Sequence, residues 1–147
     1  VGVEAQRGLR LEKGHIIIGQ DTDAMNTPDE VEMAWAIAGK NPFFVGGRSI
    51  ELRRKHPSAR KLLGFTLPAG EALPEESNLV LTGEKVTGFV TSAAVSEALG
   101  KVIGLAYGPA DKVPGDKLPI KYTSGRIVEA EVVSPHFYDH DNKRQEL

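Results

Sequence analysis

Cysteine is absent from this 147-residue chain. Disulfides, thiolate metal sites and thiol nucleophiles are thereby excluded. A basic excess is also missing: the formal charge of −2 provides no field that would steer nucleic acid. No apolar run approaches the roughly 20 residues that a membrane-spanning helix needs. The opening "VGVEAQRGLRLEKG" has neither an initiator Met nor the layout of a signal peptide, and it reads as the interior of a longer chain. What the sequence does hold is ordinary for one soluble domain, or one domain plus a piece of another: 40% hydrophobic and 26% charged residues. Sixteen glycines and nine prolines imply many turns, hence short strands more than long helices.

The first third mixes signals. Val3, Ala5, Leu9 and Leu11 lie near helical spacing, and Gly14 supplies a helix stop. "HIIIG" carries three β-branched residues in a row, which favour an extended strand. In "TPDE" Thr27 can cap, Pro28 fits the first helical position, and Glu30 completes a capping box on a short turn. "VEMAWAIA" alternates through Val31, Met33, Trp35 and Ile37 as a half-buried strand does. "GGRSIELRRKHP" is a second helix candidate, stopped by Pro57.

After Pro57 the texture changes. "RKLLGFTLP", "NLVLTGEKVTGFVTSAAV", "ALGKVIGLAYGP" and "KLPIKYTSGRIVEAEVVS" are apolar runs of strand length separated by Gly, Pro, Asn and Ser clusters. Hairpin turns are expected around Gly83 to Lys85 and at Ser124-Gly125. The expected fold is an α+β segment over residues 1–57, followed over 58–147 by a mainly antiparallel β-barrel or sandwich of about five to seven strands. The polar ending "YDHDNKRQEL" reads as a frayed tail.

Chemistry-bearing candidates are few. Arg10 and Glu12 stand inside an apolar stretch. Glu12 falls at a helix C-terminus, where the dipole disfavours a carboxylate, so it wants a separate reason. A surface ion pair is one reading of the two residues. In the other, flanking hydrophobes draw Glu12 into a cleft, where it accepts paired N–H donors from a flat heterocycle. Asp21, Asp23 and Glu32 superficially resemble a calcium loop, but Met25 holds a ligand position and Asn26 replaces the turn glycine. Turn-forming and capping acids are the better account. His136 and His140 would form a metal pair on a helix; Pro135 argues against one, which favours a solvated tail. "FVGGRS" matches no phosphate-loop pattern. Ser92 and Ser96 have no His-acid order suggesting a triad, and "RRKHPSARK" is a basic patch without interleaved aromatics.

Four blocks in order carry a resemblance: "LRLEKGHIIIGQDTD", "FVGGRS", "GFVTSAAVSEALGKVIGLAY" and "VVSPHFYDHDNKRQ". Together they resemble the aminomethyltransferase superfamily, which includes the glycine cleavage T-protein, dimethylglycine dehydrogenase and, most alike, the C-terminal part of the sarcosine oxidase alpha subunit. The resemblance implies that residues 1–57 close a folate-binding domain and that 58–147 form the family's C-terminal barrel. It implies tetrahydrofolate as cofactor, with the pterin held by Glu12, and Arg10 orienting Glu12 or bracing the strand behind it. Trp35 stands where the family has an aromatic, as a packing residue. The catalytic aspartate, and the FAD or FMN and NAD portions of the oxidase, would lie upstream of Val1, so the chain alone is expected to be inactive. Folate, the upstream domain and other oxidase subunits are the implied partners, in the cytoplasm. A T-protein-like transferase, a demethylase of the same superfamily and a non-catalytic barrel module are the alternatives. His15 replaces the cysteine of a folate-dependent iron–sulfur repair branch, which argues against that role.

Overall fold

The structure, a computed structural model, describes residues 2–37 and 43–146. The helices are α1 (Val3–Glu12) and α2 (Gly47–Lys55); the strands are β1 (Arg60–Leu67), β2 (Leu79–Thr82), β3 (Lys85–Ser96), β4 (Lys101–Pro109), β5 (Lys117–Lys121) and β6 (Ile127–Val133). The strands close into a barrel in the order β1-β4-β3-β2-β5-β6, with β6 pairing back onto β1. Every pair is antiparallel.

Strand after strand, the expected apolar runs occupy these positions. The β2–β3 turn is the Gly83-Glu84 hairpin, with Thr82 opposite Lys85 and Gly83 in the left-handed region that glycine tolerates. The β5–β6 turn closes through Gly125, whose N–H donates to the Tyr122 carbonyl. Inside the barrel, Leu63, Phe65, Leu67, Val80, Val90, Val102, Leu118, Ile120 and Val132 form one core. Gly88 is needed for closure, because a Cβ there would overlap the Tyr107 carbonyl on the neighbouring strand.

A second cluster lies outside the barrel wall. Leu62, Ile103, Leu105 and Tyr107 turn outward and are covered by Leu11 and Val31, with Ile16, Met33, Ala94, Leu99 and Phe137 packed at the margin. The first third of the chain is thus a cover over one flank of the barrel.

Two strand expectations in that cover fail. "HIIIG" forms no strand; only Ile18 makes an isolated bridge, to Thr22. "VEMAWAIA" is wound into two short 3-10 helices, Pro28–Val31 and Ala34–Ala36, and Trp35 is 76% exposed instead of packed; Ala38, the last of that run, lies outside the described residues. The physical reason is common to both. A closed barrel has no free edge, so extended segments outside it find no ladder to join, and propensity alone does not make a strand. Thr27 does cap the first of these helices, accepting from the Glu30 N–H, while the Glu30 carboxylate accepts from the Asn26 amide.

The tail departs from expectation as well. Tyr138 N–H donates to the Glu12 carbonyl at 2.9 Å, and Lys13 bonds the Asp139 carbonyl. Gly14 adopts a left-handed φ of +77°, and a Cβ there would overlap the Pro135 carbonyl. Residues through Asp139 are therefore strapped to the end of α1, and exposure sets in at His140. Leu147 lies outside the described residues.

Candidate functional site

The residue order Arg10-Leu11-Glu12 explains itself once α1 is docked. Successive helical residues point about 100° apart. Leu11, only 2% exposed, faces the barrel, so Arg10 and Glu12 flank it on either side. Each then reaches a hydroxyl on β3. Arg10 Nη2 donates to Ser92 Oγ at 2.6 Å, and Ser96 Oγ donates to Glu12 Oε1 at 2.6 Å. Ser92 and Ser96 are four residues apart, roughly 13 Å along an extended strand. No hydrogen bond joins Arg10 to Glu12 among the described residues, as expected for helical neighbours two apart.

The direction of the Ser96 bond is fixed by its surroundings. Leu99 N–H donates to Ser96 Oγ at 3.2 Å, so the hydroxyl proton is free to point at Glu12. Ser96 is 2% exposed and Glu12 is half-buried. A carboxylate at a helix C-terminus lacks support from its own helix, and here a strand hydroxyl supplies it. Glu12 Oε2 takes no hydrogen bond among the described residues, and Oε1 keeps a second lone pair. An external N–H donor can therefore still be accepted.

Arg10 serves another partner. Its guanidinium forms an ion pair with Asp21, which is fully buried. Asp21 also accepts from the Thr91 hydroxyl at 2.6 Å, from the Ser92 hydroxyl, and from the Ile17 N–H at 2.8 Å. Its carbonyl accepts from the Tyr107 hydroxyl at 2.8 Å. A buried carboxylate surrounded by an arginine and three N–H or O–H donors has its charge satisfied from every side. A β-bulge makes this arrangement reachable: Val90 pairs with Ala106 and Ser92 with Leu105, leaving Thr91 as the extra residue. Thr91 and Ser92 are consequently both buried and both aimed at Asp21.

The turn-forming or capping role expected of Asp21 does not include this buried one. The local part of the reading survives in the Ile17 N–H bond, and Asp23 does form a turn, accepting from Met25 N–H at 2.8 Å. The signal in the sequence is an acid three residues beyond the apolar Ile run and eleven beyond Arg10. The 70-residue separation from Thr91 concealed the rest.

A groove of about 230 Å³ runs between α1 and β3, with Arg10, Gln20, Glu76 and Ser92 in its lining. Gln20 Nε2 bridges its mouth, donating to Glu76 at 2.7 Å and to the Thr91 carbonyl at 3.2 Å. Arg10 lines this groove and Glu12 does not. An open apolar hollow of about 510 Å³ lies on the other side of the cover, among Ile16, Ile18, Val31, Met33, Ile37 and Phe44. His136 and His140 stack edge to face, 4.7 Å between ring centres, and no group of three or more potential metal ligands is found among the described residues. His15 is exposed and engages Arg10 through its backbone alone. No helix among the described residues is long and apolar enough to cross a membrane.

Residues 60–139 match the glycine cleavage T-protein C-terminal barrel domain family. The aminomethyltransferase of Rubrobacter xylanophilus is 35% identical over 93% of this chain and 36% of its own length. The sarcosine oxidase alpha subunit of Corynebacterium sp. strain U-96 is 35% identical over 99% of this chain and 16% of its own length. Among solved structures, the glycine cleavage system aminomethyltransferase T of Bartonella henselae superposes with a TM-score of 0.85 at 23% identity, covering 95% of this chain and 40% of that one. The chain thus spans well under half the length of these relatives. The closed six-stranded barrel and the match over its whole extent place the chain in the glycine cleavage T-protein C-terminal barrel family, with aminomethyltransferases and the sarcosine oxidase alpha subunit as homologues.

Proposed function

We propose that this chain is the C-terminal portion of a tetrahydrofolate-dependent one-carbon transferring enzyme of the sarcosine oxidase alpha type. In the intact enzyme an amine loses two electrons to a flavin at a separate site and becomes an iminium. Tetrahydrofolate supplies the two nitrogens that take the methylene carbon, and the amine leaves as an ammonium carrying the two protons that those nitrogens give up. In this reading residues 1–57 complete a folate-binding domain, an upstream aspartate sits at the reacting nitrogen, and Glu12 holds the pterin edge.

The observation that supports Glu12 is the Ser96 hydroxyl. It holds a half-buried carboxylate in one orientation and leaves Oε2 open to an outside donor. With Oε1 already engaged, the pterin would be read mainly through one oxygen, a weaker recognition than a full fork. Arg10 acts at a distance from this contact, bracing α1 against β3 through Asp21 and Ser92. The exposed Ile18, Met25 and Trp35, and the apolar hollow beside them, fit a surface that upstream sequence would cover.

A T-protein-like transferase is the second reading. It is favoured by the homologous aminomethyltransferases, and it would take the carbon from an aminomethyl group without a flavin. The experiment is a calorimetric titration of the purified chain with a stable reduced folate, beside Glu12→Gln. Micromolar binding that is lost in the variant supports the pterin role. Equal binding in both proteins removes Glu12 from the site. Should neither bind, the same substitution is carried into the parent enzyme, where an unchanged KM for folate would reject the assignment and leave the barrel as a structural cap.

A further inference from the structure

A separate cleft of about 370 Å³ lies where the cover meets the barrel, far along the chain from Glu12. Three elements build it. The first 3-10 helix and its cap give Thr27, Asp29 and Glu30; the last turn of α2 and its exit give Arg53, Arg54, His56 and Ser58; the start of β1 gives Arg60 and Lys61. Four Lys and Arg side chains face two carboxylates there, a local excess of two positive charges in a chain whose formal charge is −2.

The carboxylates are partly committed. Asp29 takes a two-pronged bond from Arg54, Nε at 2.8 Å and Nη2 at 2.9 Å, and that bond holds its carboxyl below the usual range. Glu30 accepts from Asn26. Arg54 uses two of its five N–H donors on Asp29 and keeps the others. The Arg60 guanidinium is held 5.0 Å above the Tyr107 ring. Arg53, His56 and Lys61 have no side-chain hydrogen-bond or ion-pair partner among the described residues. The helix dipole accounts for basic residues in the last turn of α2. It does not account for Arg60 and Lys61, which belong to a strand and also line the cleft.

We propose that this cleft binds an oxyanion carrying at least two negative charges, a phosphate or a di- or tricarboxylate group, which bridges α2 and β1. Arg53 and Lys61 supply the uncommitted charge from either side, Arg54 is pre-oriented by Asp29, and the Thr27 and Ser58 hydroxyls can donate to the remaining oxygens. A bound anion would pull the cover onto the barrel, so binding should also raise the melting temperature.

The test is calorimetry with inorganic phosphate and, separately, with citrate, at matched ionic strength, on the chain and on an Arg53→Ala/Lys61→Ala double variant. Arg53 is exposed and Lys61 half-buried, and circular dichroism establishes that the variant is folded. The expected result is saturable one-site binding of at least one anion, weakened about tenfold or more in the variant. Phosphate binding alone would point to a phosphorylated ligand; citrate binding alone would point to a polycarboxylate. Absence of saturable binding of either anion up to about 10 mM would overturn the proposal. So would binding that the double variant leaves unchanged.

Discussion

The barrel and its cover are held together by different physics. The barrel from Arg60 onward is organised around one apolar core, closed on itself with no free edge. Among the described residues the cover contributes only Leu11 and Val31 as buried apolar side chains, while Ile18 is 85% exposed and Met25 and Trp35 nearly as much. Its principal anchor is polar: the Arg10–Asp21 pair and the hydroxyls of Thr91, Ser92 and Ser96. Apolar burial is tolerant of small displacements, whereas a satisfied buried ion fixes a position and is costly to break. The difference suggests that the barrel specifies the fold and the cover borrows its conformation from the barrel wall.

Two substitutions of similar cost should separate the regions most sharply. Phe65→Ala, in the centre of the barrel, should cost about 3–5 kcal/mol and lower the stability of both regions together. Asp21→Ala strands a buried guanidinium and should cost about 3–5 kcal/mol in the docking of the cover. Barrel amides should then remain protected while tryptophan and N-terminal probes change first, which paired fluorescence and amide-exchange melts would show. A single cooperative loss in both variants would erase the distinction between the regions.

Ser96→Ala is milder. It removes one hydrogen bond to an ionised group and should cost about 1.5–3 kcal/mol, with Glu12 left without its strand partner. Denaturant melts of Ser96→Ala, Glu12→Gln and the double variant form a cycle whose coupling measures that bond.

The smallest effect is on the alkaline side. Burial raises the Tyr107 hydroxyl above the ordinary tyrosine value, and burial followed by repulsion from Glu71 does the same for Tyr122. The folded chain therefore holds these protons more tightly than the unfolded one. The stabilisation is fully present below about pH 10 and is lost as pH rises through the folded values. Tyr107 bonds the Asp21 carbonyl, so its ionisation should loosen the cover, whereas Tyr122 bonds the Ala72 carbonyl on the barrel. Tyr107→Phe and Tyr122→Phe, followed by pH-dependent melts above neutrality, would divide the alkaline loss between them.

The barrel was legible because its signals are local. Apolar runs of strand length and the turns at Gly83 and Gly125 need no distant partner to be read. The helices were legible for the same reason, from apolar spacing before Gly14 and from Pro57 as a stop. The cover was not, because its form depends on what the barrel offers. Ile16 to Ile18 have strand propensity and no edge to join. Asp21 resembles a loop acid until a bulge 70 residues away turns two hydroxyls toward it. The tail read as polar and frayed, yet Tyr138 and Asp139 meet α1 through backbone groups that no side-chain pattern reveals. Arg10 and Glu12 were visible as anomalies, and the hydroxyls that receive them were not.

Native-state amide exchange on wild-type protein and Asp21→Ala reads the stability of cover and barrel separately. A cover docked on the barrel by a polar anchor should leave β1 to β6 exchanging only by global opening in both proteins, with α1 and the turn around Asp21 exchanging through a lower-energy opening that the substitution lowers by several kcal/mol. Equal protection of cover and barrel, changed equally by the substitution, would contradict such docking.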